Sequence, residues 1–158
     1  MEEESAVEVR DLERGPPRRW NEEIGGIKWL PRLTDKTRAA LSGRLGAYLY
    51  GQSPVDRALL RALGVRYRDF TRIVANAATD DDVFRDLFAA SPDGIERARA
   101  WSKTLPQTHR WFMFLLDLDD GYLDGWLWKA LRAPVNLAAN AFTTVVKRIW
   151  PSRAAEIE

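Results

Sequence analysis

Four stretches of this chain announce a helix start, and none announces a sheet. Pro31 suits the first position of a helix, where a missing N–H costs nothing. Ser53-Pro54-Val55-Asp56 joins a capping serine, a first-turn proline and an acid placed to reach back. Thr79-Asp80-Asp81-Asp82 sets three acids at a positive dipole end, and Ser91-Pro92-Asp93 repeats the logic. Apolar residues recur behind each start at helical spacing: Leu33, Thr37, Leu41, Leu45; Val55, Leu59, Leu63; Val83, Phe84, Leu87, Phe88; Ile95, Ala98, Trp101 or Ser102, Leu105. Phe70, Ile73, Val74 and Ala77 mark another helix. The first helix is expected to end near Gly43 to Gly46, Gly64 to cap the second, and Pro106 to stop the one from Ser91.

The run Trp111 to Leu116 is continuously apolar. It reads as helix, because no second strand-like run exists to pair with it. Tyr122–Leu131 and Pro134–Trp150 read as two final helices, the second with Val135, Ala138, Phe142, Val145 and Ile149 on one face. The expected fold is all-α: a compact single-domain bundle of about six to eight short helices, with no sheet beyond a stray two-stranded pair. Leu33, Leu41, Leu59, Leu63, Phe70, Ile73, Val74, Phe84, Leu87, Ile95 and Trp111 are expected in its core. The expected organisation is a disordered acidic N-terminus over 1–10, a helical core domain over 11–120, C-terminal amphipathic basic helices over 121–150 and a tail over 151–158.

Charge and composition narrow the function. Lys plus Arg number 24 against 23 Asp plus Glu, a balance that argues against a nucleic-acid binder. There is no cysteine, which excludes disulfides, thiol chemistry and cysteine-held zinc and fits a reducing cytoplasm. The start Met1-Glu2-Glu3-Glu4 is no secretory signal, and no apolar run approaches the roughly 20 residues that span a bilayer. The cations of the last part, Lys129, Arg132, Lys147, Arg148 and Arg153, have no acid between them.

Asp11-Leu12, Pro17-Arg18, Gly25-Gly26 and the run Leu30 to Ala39 come in one order. Leu45-Gly46, Tyr48, Ser53-Pro54-Val55-Asp56, Leu63-Gly64-Val65 and Asp69-Phe70 continue it. Over about Asp11 to Leu105 the chain resembles a bacterial family described only as domain of unknown function 5069. The resemblance implies a small soluble bacterial helical domain. It carries no assigned activity and no catalytic residues.

Trp29 to Arg38 mixes structural signal with unexplained charge. Arg32, Asp35, Lys36 and Arg38 lie off the expected apolar stripe, and cations near a helix start oppose its dipole. An internal answer would pair them with Asp35 and Asp56. An external answer would cradle a phosphate or carboxylate between Arg32, Lys36 and either Lys28 or Arg38, with Tyr48 lining the site. The internal answer is favoured.

Asp117, Asp119, Asp120 and Asp124 could hold Mg²⁺ or Ca²⁺ through oxygen, but their spacing fails the EF-hand pattern, and a helix end followed by an acid-rich cap is favoured. His109, the single histidine, reads as an exposed loop residue. There is no phosphate loop and no dinucleotide fingerprint, so no cofactor is expected.

Trp126, Trp128, Lys129, Arg132, Lys147, Arg148 and Trp150 form a candidate surface for a partner or a membrane. Three function classes follow: an interaction module without chemistry, able to self-associate; a small-anion sensor or enzyme at Arg32 and Lys36; and a peripheral membrane protein. The first is favoured, and membrane contact ranks behind packing on the chain's own core or on a second copy.

Overall fold

The computed structural model describes residues 9–150. The acids Glu2 to Glu8 and the tail with Arg153 lie outside the described residues. A two-residue hairpin comes first, β1 (Glu23–Ile24) paired antiparallel with β2 (Ile27–Lys28). Gly25 and Gly26 turn between them at φ 58° and 78°, the pair of left-handed conformations that a tight hairpin needs. Seven helices follow: α1 (Leu30–Leu41), α2 (Pro54–Leu63), α3 (Tyr67–Asn76), α4 (Asp80–Ala90), α5 (Pro92–Thr108), α6 (Arg110–Asp120) and α7 (Trp126–Ile149). The fold is all-α apart from that small pair of strands.

The caps form where residue chemistry places them, with two changes: Ser91 stands at the start of α5 without a side-chain cap bond, and Asp56 does not reach back to its cap. Thr79 and Asp82 make a complete reciprocal box at α4. Ser53 accepts the Asp56 N–H at α2, but the Asp56 carboxylate turns inward and bonds Lys36 and Trp29. Gly64 closes α2 in the left-handed region at φ 70°. Gly94 lets α5 cross α2 closely: a Cβ there would stand 1.9 Å from the Leu63 carbonyl oxygen.

The core joins the hairpin to α1–α6 through Ile27, Trp29, Leu30, Leu33, Leu59, Leu63, Phe70, Leu87, Ile95 and Leu105. Ile73 and Phe84 pack at its edge. Leu41 is exposed, because α1 ends there rather than near Gly43 to Gly46. Trp111 is exposed as well, because α6 sits at the edge of the bundle and turns Met113 and Leu118 inward.

Two prolines fail to end helices. α5 continues through Pro106 to Thr108, and Pro134 lies inside α7. The last helices are therefore one. Proline already holds a helical φ, so each costs a ladder bond without stopping the helix. α7 also departs from the expected face. Trp128, Val135, Ala139 and Val146 are half-buried, while Ala138, Phe142, Val145 and Ile149 are exposed.

Candidate functional site

α1 is buried on every side. Arg32, Asp35, Lys36 and Arg38 all lie inside, as do Leu30, Leu33 and Thr37. A buried charge is tolerated when it is paired and hydrogen-bonded. Each of these charges has its partner. Lys36 Nζ sits 2.7 and 2.6 Å from the two Asp56 oxygens, and the Trp29 indole N–H reaches the same carboxylate at 2.8 Å. Burial draws the Lys36 ammonium below the ordinary lysine value; Asp56 opposes this and Arg32 adds to it.

Arg32 Nη1 lies 2.7 Å from Asp120, and the Tyr48 hydroxyl donates to the same carboxylate at 2.8 Å. Trp29 and Tyr48 face the guanidinium with their rings at 5.4 and 5.7 Å. Burial first, then Asp120, pushes the Tyr48 phenol well above its ordinary value, so it stays a donor.

The other face of α1 belongs to Arg18 and Asp80. Arg18 binds Asp35 through its backbone N–H and its guanidinium, and also pairs with Asp80. Burial works against the Arg18 charge, but Asp35 and Asp80 outweigh it and hold the guanidinium above the usual arginine value. Arg38 Nη1 meets Asp80 from the opposite side at 2.7 Å. Burial alone would raise the Asp80 carboxyl, yet Arg18 and Arg38 hold it below the ordinary range.

The four aspartates of the metal reading are divided among different partners. Asp117 holds Arg19 and the Trp20 indole N–H, Asp120 holds Arg32, and Asp124 is exposed. Burial first, then the Asp120 charge, pushes the Asp119 carboxyl up. Among the described residues no three acids or histidines gather into a metal cluster. His109 is the exposed single-residue link between α5 and α6. With Asp35, Asp56, Asp80, Asp117 and Asp120 each held by a cation, none is free to act as a general base.

A cavity of about 410 Å³ lies beside the buried charges, with Arg32, Lys36 and Tyr48 on one wall. Asn136, Ala139, Asn140, Phe142 and Thr143 of α7 line it as well. The helix is fixed there by polar ties. Arg132 donates to the carbonyls of Asp119 and Asp120, and Lys147 to that of Gly46 at 2.7 Å. Gln52 holds the Trp150 carbonyl, and Arg57 stacks on its ring. Phe114 of α6 packs edge-on against Trp128.

So α7 meets the domain through polar ties beside the half-buried Trp128, Val135, Ala139 and Val146, and leaves most of its large apolar side chains in solvent. No residue of this 24-residue helix is buried. Its exposed residues include Trp126, Leu127, Leu131, Leu137, Phe142, Val145 and Ile149; the exposed polar ones are Lys129, Arg132, Asn140, Thr144 and Arg148. No helix of the described residues is long and apolar enough to cross a membrane.

A sequence model described as Domain of unknown function (DUF5069) matches residues 14–112, well over half the chain. The chain belongs to the DUF5069 family. The match starts three residues later and runs seven residues further than the resemblance first read from about Asp11 to Leu105. The comparison with curated proteins finds no match.

Within the DUF5069 match lie Arg18–Asp35, Arg18–Asp80, Arg38–Asp80 and Lys36–Asp56 with Trp29. Arg19–Asp117 and Arg32–Asp120 reach beyond its end to α6, and α7 lies wholly outside it. Of the candidate residues, the structure brings Arg32, Lys36, Tyr48 and Asp56 to one side of α1 and Asp35 and Arg38 to the other. Arg18, Arg19 and Asp80 belong to the same ties and were missed as a group. The Pro17-Arg18 pair was their one local signal.

Proposed function

We propose that this chain is a docking domain without catalysis, and that the α6–α7 hairpin is its binding face. The inverted amphipathicity of α7 carries this reading. A surface helix of a soluble domain turns its apolar stripe inward. α7 turns Arg132, Asn136, Thr143 and Lys147 toward the domain and leaves its large apolar side chains outside. Leu41 and Phe88 apart, every exposed large hydrophobic among the described residues falls between Trp111 and Trp150. A surface of that kind marks an interaction site. The small-anion reading at Arg32 and Lys36 has less support, since both cations already hold carboxylates at 2.7 Å or less.

A triple variant, Leu127→Gln, Val145→Gln and Ile149→Gln, tests the reading. A docking face is not part of the core, so unfolding in urea should change by no more than about 0.5 kcal/mol per substitution. Binding of an apolar fluorescent dye should fall sharply. A loss of several kcal/mol would make the stripe part of the folded core and would end the proposal.

A further inference from the structure

Resting on that docking reading, we infer that the occupant of the α7 face is an anionic bilayer surface, with the helix lying in the interface plane. Three observations select it.

The first is the breadth of the apolar surface. Leu127, Leu131, Ala138, Phe142, Val145 and Ile149 share one side of the helix at spacings of three, four and seven. Next to them Ala130, Ala133, Leu137 and Ala141 are also exposed. A protein groove takes a narrow stripe; this surface is a broad half-cylinder about 36 Å long. A liquid apolar medium fits such a shape.

The second is the sign and position of the charge. α7 contains no acid, and its cations stand toward its two ends: Lys129 and Arg132, then Lys147 and Arg148. Lys129 and Arg148 are exposed, and neither has a salt-bridge partner among the described residues. Their long stems can cover apolar surface while the charged heads reach phosphate. The same charges count against a second copy of the chain. Antiparallel pairing of two α7 helices would bring Lys129 toward Arg148, and parallel pairing would set identical cations side by side. Neither arrangement offers an acid.

The third is the placement of the tryptophans. Trp126 begins the helix, 81% exposed, and Trp150 follows its last turn, 53% exposed although Arg57 stacks on its ring. Indoles at both ends of an apolar stretch match the headgroup level, where an amphipathic ring is most at home. Trp111, Phe112 and Leu115 are exposed on neighbouring α6.

The test is co-sedimentation of the full chain with two sets of vesicles. One is phosphatidylcholine alone; the other is phosphatidylcholine with an equal part of phosphatidylglycerol. The chain should pellet with the anionic vesicles and at least tenfold less with the neutral ones. Salt near 1 M, where the screening length is about 3 Å, should release it. Lys129→Ala with Arg148→Ala should weaken binding about 25-fold, about fivefold for each cation. Leu127→Gln, Val145→Gln and Ile149→Gln together should abolish it. Equal pelleting with both vesicle types would overturn the anionic requirement and with it the inference. No pelleting, with light scattering showing a dimer that the three glutamines dissociate, would replace the bilayer by a second copy and leave the docking reading standing. A large stability loss in the triple variant would instead remove the docking reading itself.

Discussion

Lys36→Met is expected to destabilise the domain by about 3–5 kcal/mol, as breaking one side of a buried ion pair does. The methionine fills most of the lysine volume, so the loss is not mainly a cavity. It comes from Asp56, whose side chain is 0% exposed and whose charge keeps only the Trp29 indole N–H. Urea unfolding measures it. The double variant Lys36→Met with Asp56→Leu should recover much of the loss, since removing both charges also removes the cost of burying them. It will not recover all of it, because the Trp29 N–H then has no acceptor, an unmet donor worth about 1–3 kcal/mol. Trp29 is also the only non-glycine described residue at positive φ, and its buried indole holds that strained start of α1. If Lys36→Met unfolds at the wild-type midpoint, the pair is not a structural tie.

Arg32→Met is expected to cost about 3 kcal/mol, the lower end of the same range, because Asp120 keeps one donor in the Tyr48 hydroxyl. The guanidinium makes three kinds of contact at once: the Asp120 oxygen, the Arg18 carbonyl at 3.2 Å, and the rings of Trp29 and Tyr48. Arg32→Lys should rescue only part of the loss: a single nitrogen, Nη1, serves both oxygens, but the flat guanidinium stacked between the rings of Trp29 and Tyr48 is lost. Asp120 ends α6, so losing this tie should also loosen the start of α7, which Arg132 fixes to the neighbouring carbonyls. A loss below about 1 kcal/mol, in the range of an exposed pair, would contradict the structural role.

The starts of α2 and α4 were legible because caps are local: Ser53 and Thr79 sit within three residues of the backbone groups they cap. The start of α7 was not, since Trp126 has no capping side chain before it and Pro134 lies inside the helix. The surroundings of α1 were not legible, because Lys36 finds Asp56 at a separation of 20 residues and Arg32 finds Asp120 at 88. Charge on three sides of a helix normally means solvent, and here a carboxylate waits at each position. Periodicity placed Leu33 and Leu63 inside but failed for Leu41, where the helix had already ended, and for Trp111 at the edge of the bundle. On α7 it grouped Ala138, Phe142, Val145 and Ile149 on one face and left open whether that face meets the core or a partner. Val145 and Ile149 do share a face with Phe142, but polar ties from Arg132 and Lys147 hold the opposite face to the domain. No local signal states which of two faces a core will take.

The central claim is that α1 belongs to the interior and α7 is the outward binding face. Hydrogen exchange on the full chain, with and without phosphatidylglycerol-containing vesicles, tests it most directly. The account predicts slowed exchange over residues 126–149 when vesicles are added, and unchanged, already slow exchange over 30–41. Slowed exchange confined to 30–41, or an α7 that exchanges equally fast with and without vesicles, would contradict it.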